Sequence, residues 1–151
     1  MPKATIGRIR PETAPAGVHV LPLRVYYEDT DAAGVVYYAN YLKYAERART
    51  ELLSSLGFGN ARLAAEEGVA FAVRRCEVDY LKPARLGDRL EVVSSIAALG
   101  GASLDADQIV RRDGQILAVL KIKLACMTAD GRPARMPRAL HGALETFMAA
   151  S

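Results

Sequence analysis

Histidine is scarce in this chain of 151 residues, with only His19 and His141, and cysteine is equally so, with Cys76 and Cys126. Neither cysteine sits in a C-x-x-C pair and the histidines lie far apart, so there is no His-Cys-Asp cluster at metal-ligand spacing and no zinc or iron site is expected. Both thiols fall inside apolar stretches and are expected buried and reduced. There is no Gly-x-Ser-x-Gly elbow and no glycine-rich phosphate loop ending in Lys-Ser or Lys-Thr, which leaves serine-hydrolase and nucleotide-hydrolase chemistry without support. No segment approaches the ~18 uninterrupted apolar residues of a membrane span, and the first residues carry no signal-peptide core. A cytoplasmic protein, not inserted in a membrane, is expected. Lys+Arg number 20 against Asp+Glu 17, a formal net charge of +3, and the basic residues are scattered rather than gathered in a stripe. Nucleic acid is therefore not an expected partner, whereas a mild positive bias suits a small polyanion.

What the chain does have is enough apolar sequence, 51%, for one sizeable core. Residues 1–19 carry Pro2, Gly7, Pro11, Pro15 and Gly17 without hydrophobic period and are expected to form a flexible tail; residues 20–151 then form a single domain. Leu21 to Tyr27 is β-rich and alternates as a strand. From Ala39 to Leu56 the positions Tyr41, Ala45, Ala48, Leu52 and Leu56 recur at spacings of four and three, one face of a helix, stopped by Gly57. On other faces Arg47 can pair with Glu51, and Glu46 with Arg49. A short helical or irregular piece follows from Ala61 to Glu67.

Four strands come next: Phe71 to Tyr80, Arg89 to Leu99, Leu104 to Arg112 and Ile116 to Met127. In the first, Cys76, Val78 and Tyr80 face one way and Arg75, Glu77 and Asp79 the other. Asp113-Gly114 predicts a type I′ hairpin between the last two strands. The apolar face Ile116, Ala118, Leu120, Ile122, Leu124 and Cys126 predicts an interior strand. Asp130-Gly131 ends it, and a helix over 137–149 closes the chain. One long helix beside an antiparallel sheet has to bury its stripe on that sheet, which makes an α+β domain.

The segment joining the first strand to the long helix, Tyr27-Glu28-Asp29-Thr30-Asp31-Ala32-Ala33-Gly34-Val35-Val36-Tyr37-Tyr38-Ala39-Asn40-Tyr41, concentrates carboxylates, tyrosines and a glycine. Local chemistry alone favours reading it as caps and turns. The string Asp29-Thr30-Asp31-x-x-Gly34-Val35-Val36-Tyr37, followed by Asn40-Tyr41 and Glu46-x-x-Arg49, resembles the signature of the 4-hydroxybenzoyl-CoA thioesterase family, and within it the acyl-CoA thioesterases associated with the Tol-Pal system. Tyr80-Leu81-Lys82-Pro83-Ala84-Arg85-Leu86-Gly87-Asp88 resembles a strand-linking turn of the same proteins, and the likeness covers roughly residues 20–147.

That resemblance implies a hotdog fold, an antiparallel sheet wrapped around one long central helix, assembled as a homodimer or as a dimer-of-dimers tetramer with each acyl-CoA site between subunits. It implies hydrolysis of an acyl-CoA to a free acid and CoA, with Asp31 as the catalytic carboxylate and the Tyr38 backbone N–H polarising the thioester carbonyl. Gly34, Lys82 and Arg85 are candidate substrate-binding residues, the two cations either holding CoA phosphates or standing as solvated turn residues. CoA belongs to the substrate, so no cofactor and no metal are implied; an acyl carrier protein is a further partner the family admits. A thiol has a pKa of about 8.5, so its anion leaves without a strong general acid and a catalytic histidine is dispensable. Asp31 either attacks the carbonyl or activates a water. Glu46 stands as a second carboxylate or as the ion-pair partner of Arg49. Many relatives carry His where this chain has Tyr38, and the N–H is independent of that exchange. A non-catalytic hotdog that binds acyl-CoA or acyl carrier protein is the alternative, while a hotdog dehydratase requires a histidine that the core motif lacks.

Overall fold

The computed structural model describes residues 16–150. The expected tail lies almost wholly outside the described residues. His19, placed in or beside it, instead begins the first strand and is 3% exposed.

Strand β1 (His19–Arg24) leads through a 3-10 turn (Tyr27–Asp29) to helix α1 (Asn40–Ser55). A short helix α2 (Asn60–Arg62) continues as a π turn (Leu63–Glu67). Strands β2 (Val69–Tyr80), β3 (Arg89–Leu99), β4 (Ser103–Arg112) and β5 (Gln115–Thr128) follow, and α3 (Arg138–Ala149) ends the described chain. The strands form one antiparallel sheet in the order β1-β3-β4-β5-β2. This is the expected α+β hotdog arrangement of one long helix and one sheet.

The first strand is shorter than its β-rich sequence suggests. The Asp29 carboxylate reaches back to accept the Tyr26 N–H at 2.8 Å, folding Tyr27–Asp29 into a turn, while Val25 pairs with the Gly87–Asp88 turn instead of β3. The long helix follows its periodicity: Tyr41, Ala45, Ala48 and Leu52 are buried, joined by Tyr44 and Leu53. Gly57, at φ +92°, ends it, with the Gly57 N–H bound to Ser54 O and the Phe58 N–H to Leu53 O. Asp113 and Gly114, at φ 51° and 80°, make the hairpin turn expected of them.

Strand β5 is interior to the sheet, and Ala118, Leu120, Ile122, Leu124 and Cys126 are buried along one face. Ile116 departs from that face at 41% exposure, because the β4–β5 register shifts at Val110 and Arg111. Two further expectations are corrected. Cys126 is buried but Cys76 is exposed: it shares the core face with its β5 partner Ile122, yet α1 lies closest to β3 and β1 and leaves the edge strand β2 exposed at this position. Arg47 does not pair with Glu51; its guanidinium stands over the Tyr44 ring, 5.9 Å from the centroid.

Candidate functional site

The strand–helix connection is built around a tight turn. Thr30 and Val36 form an isolated antiparallel bridge. Within it the Asp31 N–H donates to Val35 O at 2.9 Å and the Gly34 N–H to Asp31 O at 3.0 Å. Gly34 takes φ +78°, a left-handed conformation that glycine adopts without Cβ strain. The Asp31 side chain is exposed, and Oδ1 accepts the Ala33 N–H at 2.8 Å, which fixes the carboxylate's direction and leaves Oδ2 open. Among the described residues no cation pairs with it.

The neighbouring residues hold this turn on the helix and on the second motif. Buried Asp29 presents its backbone oxygen to the Tyr37 N–H at 2.9 Å and to Asn40 Nδ2 at 2.8 Å, tying the turn to the first residue of α1. The Val36 N–H donates to Ala84 O at 2.8 Å, Val35 bridges Arg85, and Tyr41, 3% exposed, accepts the Ala84 N–H on its hydroxyl at 3.1 Å. The 82–88 turn is itself braced by Asp88, whose Oδ2 accepts the Arg85 N–H at 2.8 Å and pairs with Arg112 Nη1 at 2.5 Å. Asp29, Asn40 and Tyr41 in the motif are therefore positioning residues, and they bring two distant segments side by side.

Tyr38 lies in the turn that opens α1. Its carbonyl accepts the Tyr80 hydroxyl at 2.9 Å, while its N–H finds no acceptor among the described residues. Such an N–H carries the positive end of the helix dipole. The ring of Tyr38, 61% exposed, stands 4.9 Å from that of Tyr37 and 6.1 Å from that of Tyr80, and Tyr80 meets Tyr41 at 5.3 Å. Burial raises the Tyr80 and Tyr41 phenol pKa values above the ordinary 10.0, so both remain hydroxyls at neutral pH. Burial, with the nearby Asp29 carboxylate adding to it, raises that of Tyr44.

The structure thus brings Asp31, Gly34 and Arg85 together through the bridged turns, with Tyr38 on the adjoining helix start. Lys82 shares the second turn. The Lys82 and Arg85 side chains are exposed and unpaired among the described residues, and neither bonds Asp31 or Tyr38. Among the described residues no group of His, Cys, Asp and Glu is arranged to hold a metal ion, and no helix is long and apolar enough to cross a membrane.

Glu46 does not pair with Arg49. Arg49 Nη1 instead donates to Gln108 Oε1 at 3.0 Å, and Gln108 Nε2 donates to Ala45 O at 3.0 Å and Ser94 Oγ at 2.9 Å. Gln108 is 0% exposed. Its signal in the sequence was its phase, since it alternates with the buried Leu104, Ala106 and Val110 on the inward face of β4.

Residues 25–144 match the model of the thioesterase-like superfamily. The acyl-CoA thioester hydrolase YbgC of Escherichia coli O6:H1 is 46% identical over 121 residues, covering 79% of this chain and 87% of that protein. The acyl-CoA thioesterase YbgC of Haemophilus influenzae is 40% identical over 123 residues, 81% of this chain and 90% of the relative. Among solved structures, the 1,4-dihydroxy-2-naphthoyl-CoA thioesterase Slr0204 from Synechocystis superposes with a TM-score of 0.77 at 26% identity, covering 85% of this chain and 96% of that one. This chain belongs to the thioesterase-like superfamily and is a thioester hydrolase of the hotdog fold.

Proposed function

We propose that the protein hydrolyses acyl-CoA thioesters with Asp31 as its catalytic carboxylate and the Tyr38 N–H as its oxyanion donor. The observation that carries this reading is the pairing of two unused groups. An exposed carboxylate is held on a turn that is stitched to a helix start, and among the described residues neither a cation pairs with that carboxylate nor an acceptor meets the Tyr38 N–H. Two YbgC relatives named as acyl-CoA hydrolases support the substrate class.

Hydrolysis needs an attacking oxygen, stabilisation of the oxyanion and departure of a thiolate. The Asp31 carboxylate either attacks the carbonyl carbon, giving a mixed anhydride that water then opens, or takes a proton from the attacking water. As the carbonyl oxygen gains charge, the Tyr38 N–H and the helix dipole behind it stabilise that charge; a fixed donor of this kind is worth about 3 kcal/mol in the transition state. The CoA thiolate leaves unprotonated. Because the donor is backbone, tyrosine at position 38 performs this step as well as histidine. Lys82 and Arg85, exposed cations on the adjoining turn with no partner among the described residues, bind CoA phosphates, and Gly34 keeps the turn open beside the thioester.

The edge strand supports a homodimer. Strand β2 is twelve residues long against six for the opposite edge β1, and Val73, Tyr80 and Leu81 on or beside it are 52%, 45% and 58% exposed. A long edge with exposed apolar side chains is a pairing surface, and a second copy along β2 extends the sheet.

A thiol-release assay over a panel of acyl-CoA thioesters tests the activity. Turnover of at least one is expected. Saturable acyl-CoA binding with no thiol released from any of them would leave a binding protein instead.

A further inference from the structure

Arg49 divides two spaces between α1 and the sheet. On its outer side lies a groove of about 270 Å³ walled by Leu42 and Glu46 of α1 and by Val73 and Cys76 of β2, with Ile122 on its floor. On its inner side lies a narrow apolar pocket of about 20 Å³ lined by Leu52, Leu53, Ile96, Leu104, Leu124 and Leu144. Arg49 and the Arg49–Gln108–Ser94 network stand between them. Gln108 is locked by bonds to Ala45 O and Ser94 Oγ, so the guanidinium it holds is fixed in place. Burying these polar groups in an otherwise aliphatic layer costs desolvation that aliphatic residues would avoid. The arrangement therefore calls for a role beyond packing.

The outer groove lies on the side of the helix that carries the proposed catalytic tip. Tyr38, Leu42, Glu46 and Arg49 follow at spacings of four, four and three along one side of α1, and Tyr80, Val78, Cys76 and Val73 run beside them in β2. Tyr80 meets the Tyr38 carbonyl at the mouth. From position 38 to position 49 the helix rises about 16 Å.

We propose that the acyl chain of the substrate lies in this groove and that Arg49, held by Gln108, is its end stop, so the enzyme accepts short and medium acyl chains and rejects long ones. The proposal rests on the acyl-CoA hydrolase reading and adds a specificity-determining residue to it. A chain longer than the groove has to displace a fixed guanidinium from its buried partner before its tail gains any apolar contact. Without that side chain, the pocket under Leu52 and Leu124 becomes continuous with the groove.

The test is the dependence of kcat/KM on chain length from butyryl- through octanoyl- to palmitoyl-CoA. For the natural chain, kcat/KM is expected to fall at least about tenfold between octanoyl and palmitoyl, since one or two misplaced methylenes suffice for that much. In Arg49→Ala, and in Arg49→Met as the better-packed variant, the palmitoyl-to-octanoyl ratio is expected to rise at least about tenfold. A natural chain that hydrolyses palmitoyl-CoA as well as octanoyl-CoA overturns the end stop and leaves the hydrolase reading standing; this measurement does not depend on any variant folding. Failure to release CoA from every thioester overturns the hydrolase reading itself. An unmoved ratio in a folded Arg49 variant whose oligomeric state has changed assigns this face to a subunit contact and also overturns the proposal.

Discussion

Replacing Gly34 by alanine separates backbone strain from side-chain crowding at the proposed catalytic turn. Gly34 sits at φ +78°, and a Cβ built there meets no atom within 4 Å. The substitution therefore clashes with nothing, and its whole effect is conformational. The left-handed backbone costs an alanine about 1–2 kcal/mol, while the loss of glycine's freedom in the unfolded chain returns about 0.4–1 kcal/mol. A net loss of about 1 kcal/mol remains, which for a domain of this size lowers Tm by about 2–4 °C. The effect on turnover is larger, because the same turn carries the bond from the Gly34 N–H to Asp31 O and so aims the carboxylate. A displacement near 1 Å at a reacting group costs about 10²-fold, so a fall of kcat/KM by roughly that factor is the upper bound expected. Gly34→Asn, whose side chain tolerates the left-handed region, is expected to recover most of both losses. Calorimetry and thiol release on the two variants decide it. Equal impairment of Ala and Asn would show that volume matters at this position, and a fully active, fully stable Gly34→Ala would show that the turn does not depend on its conformation.

Two further outcomes follow from buried polar groups. His19 is 3% exposed with neither ring nitrogen bonded among the described residues, and burial lowers its pKa below 6.5 despite the opposing charge of Glu51. The unfolded chain therefore takes up this proton more readily, and stability falls as pH drops below about 6.5 toward the lowered folded value. His19→Leu is expected to flatten that part of the stability–pH curve in urea titrations, and an unchanged slope refutes the assignment. Tyr41→Phe removes the acceptor of the buried Ala84 N–H and is expected to cost about 1–3 kcal/mol. It should also raise KM for acyl-CoA, by loosening the turn that carries Lys82 and Arg85; wild-type stability and KM in this variant would refute the bracing role.

Most of the architecture was legible because periodicity is a direct imprint of burial. The stripe Tyr41–Ala45–Ala48–Leu52 and the alternation of Ala118 to Cys126 reappear as buried faces of α1 and β5. What was not legible depends on where elements lie relative to one another. Cys76 has the right phase for the core, yet its exposure follows from α1 lying closest to β3 and β1, a lateral offset that no period encodes. Arg49 looked like a surface partner of Glu46 because helical spacing records only neighbours on the same helix; its actual partner, Gln108, comes from β4. In the motif, sequence likeness singled out Asp31 and Tyr38, but it did not separate them from Asp29, Asn40 and Tyr41. Those three have their polar atoms in hydrogen bonds that hold the loop, and that division of labour is visible only in three dimensions.

Turnover by Asp31→Asn, measured alongside its affinity for a substrate thioester, probes the catalytic assignment most directly. The amide keeps the shape of the side chain and can still accept the Ala33 N–H, so fold and Kd should stay at wild-type values. Loss of the attacking or proton-accepting oxygen is expected to lower kcat by about 10²–10⁴-fold. A folded Asp31→Asn protein that releases CoA at the wild-type rate would contradict the assignment and move the chemistry elsewhere on the chain.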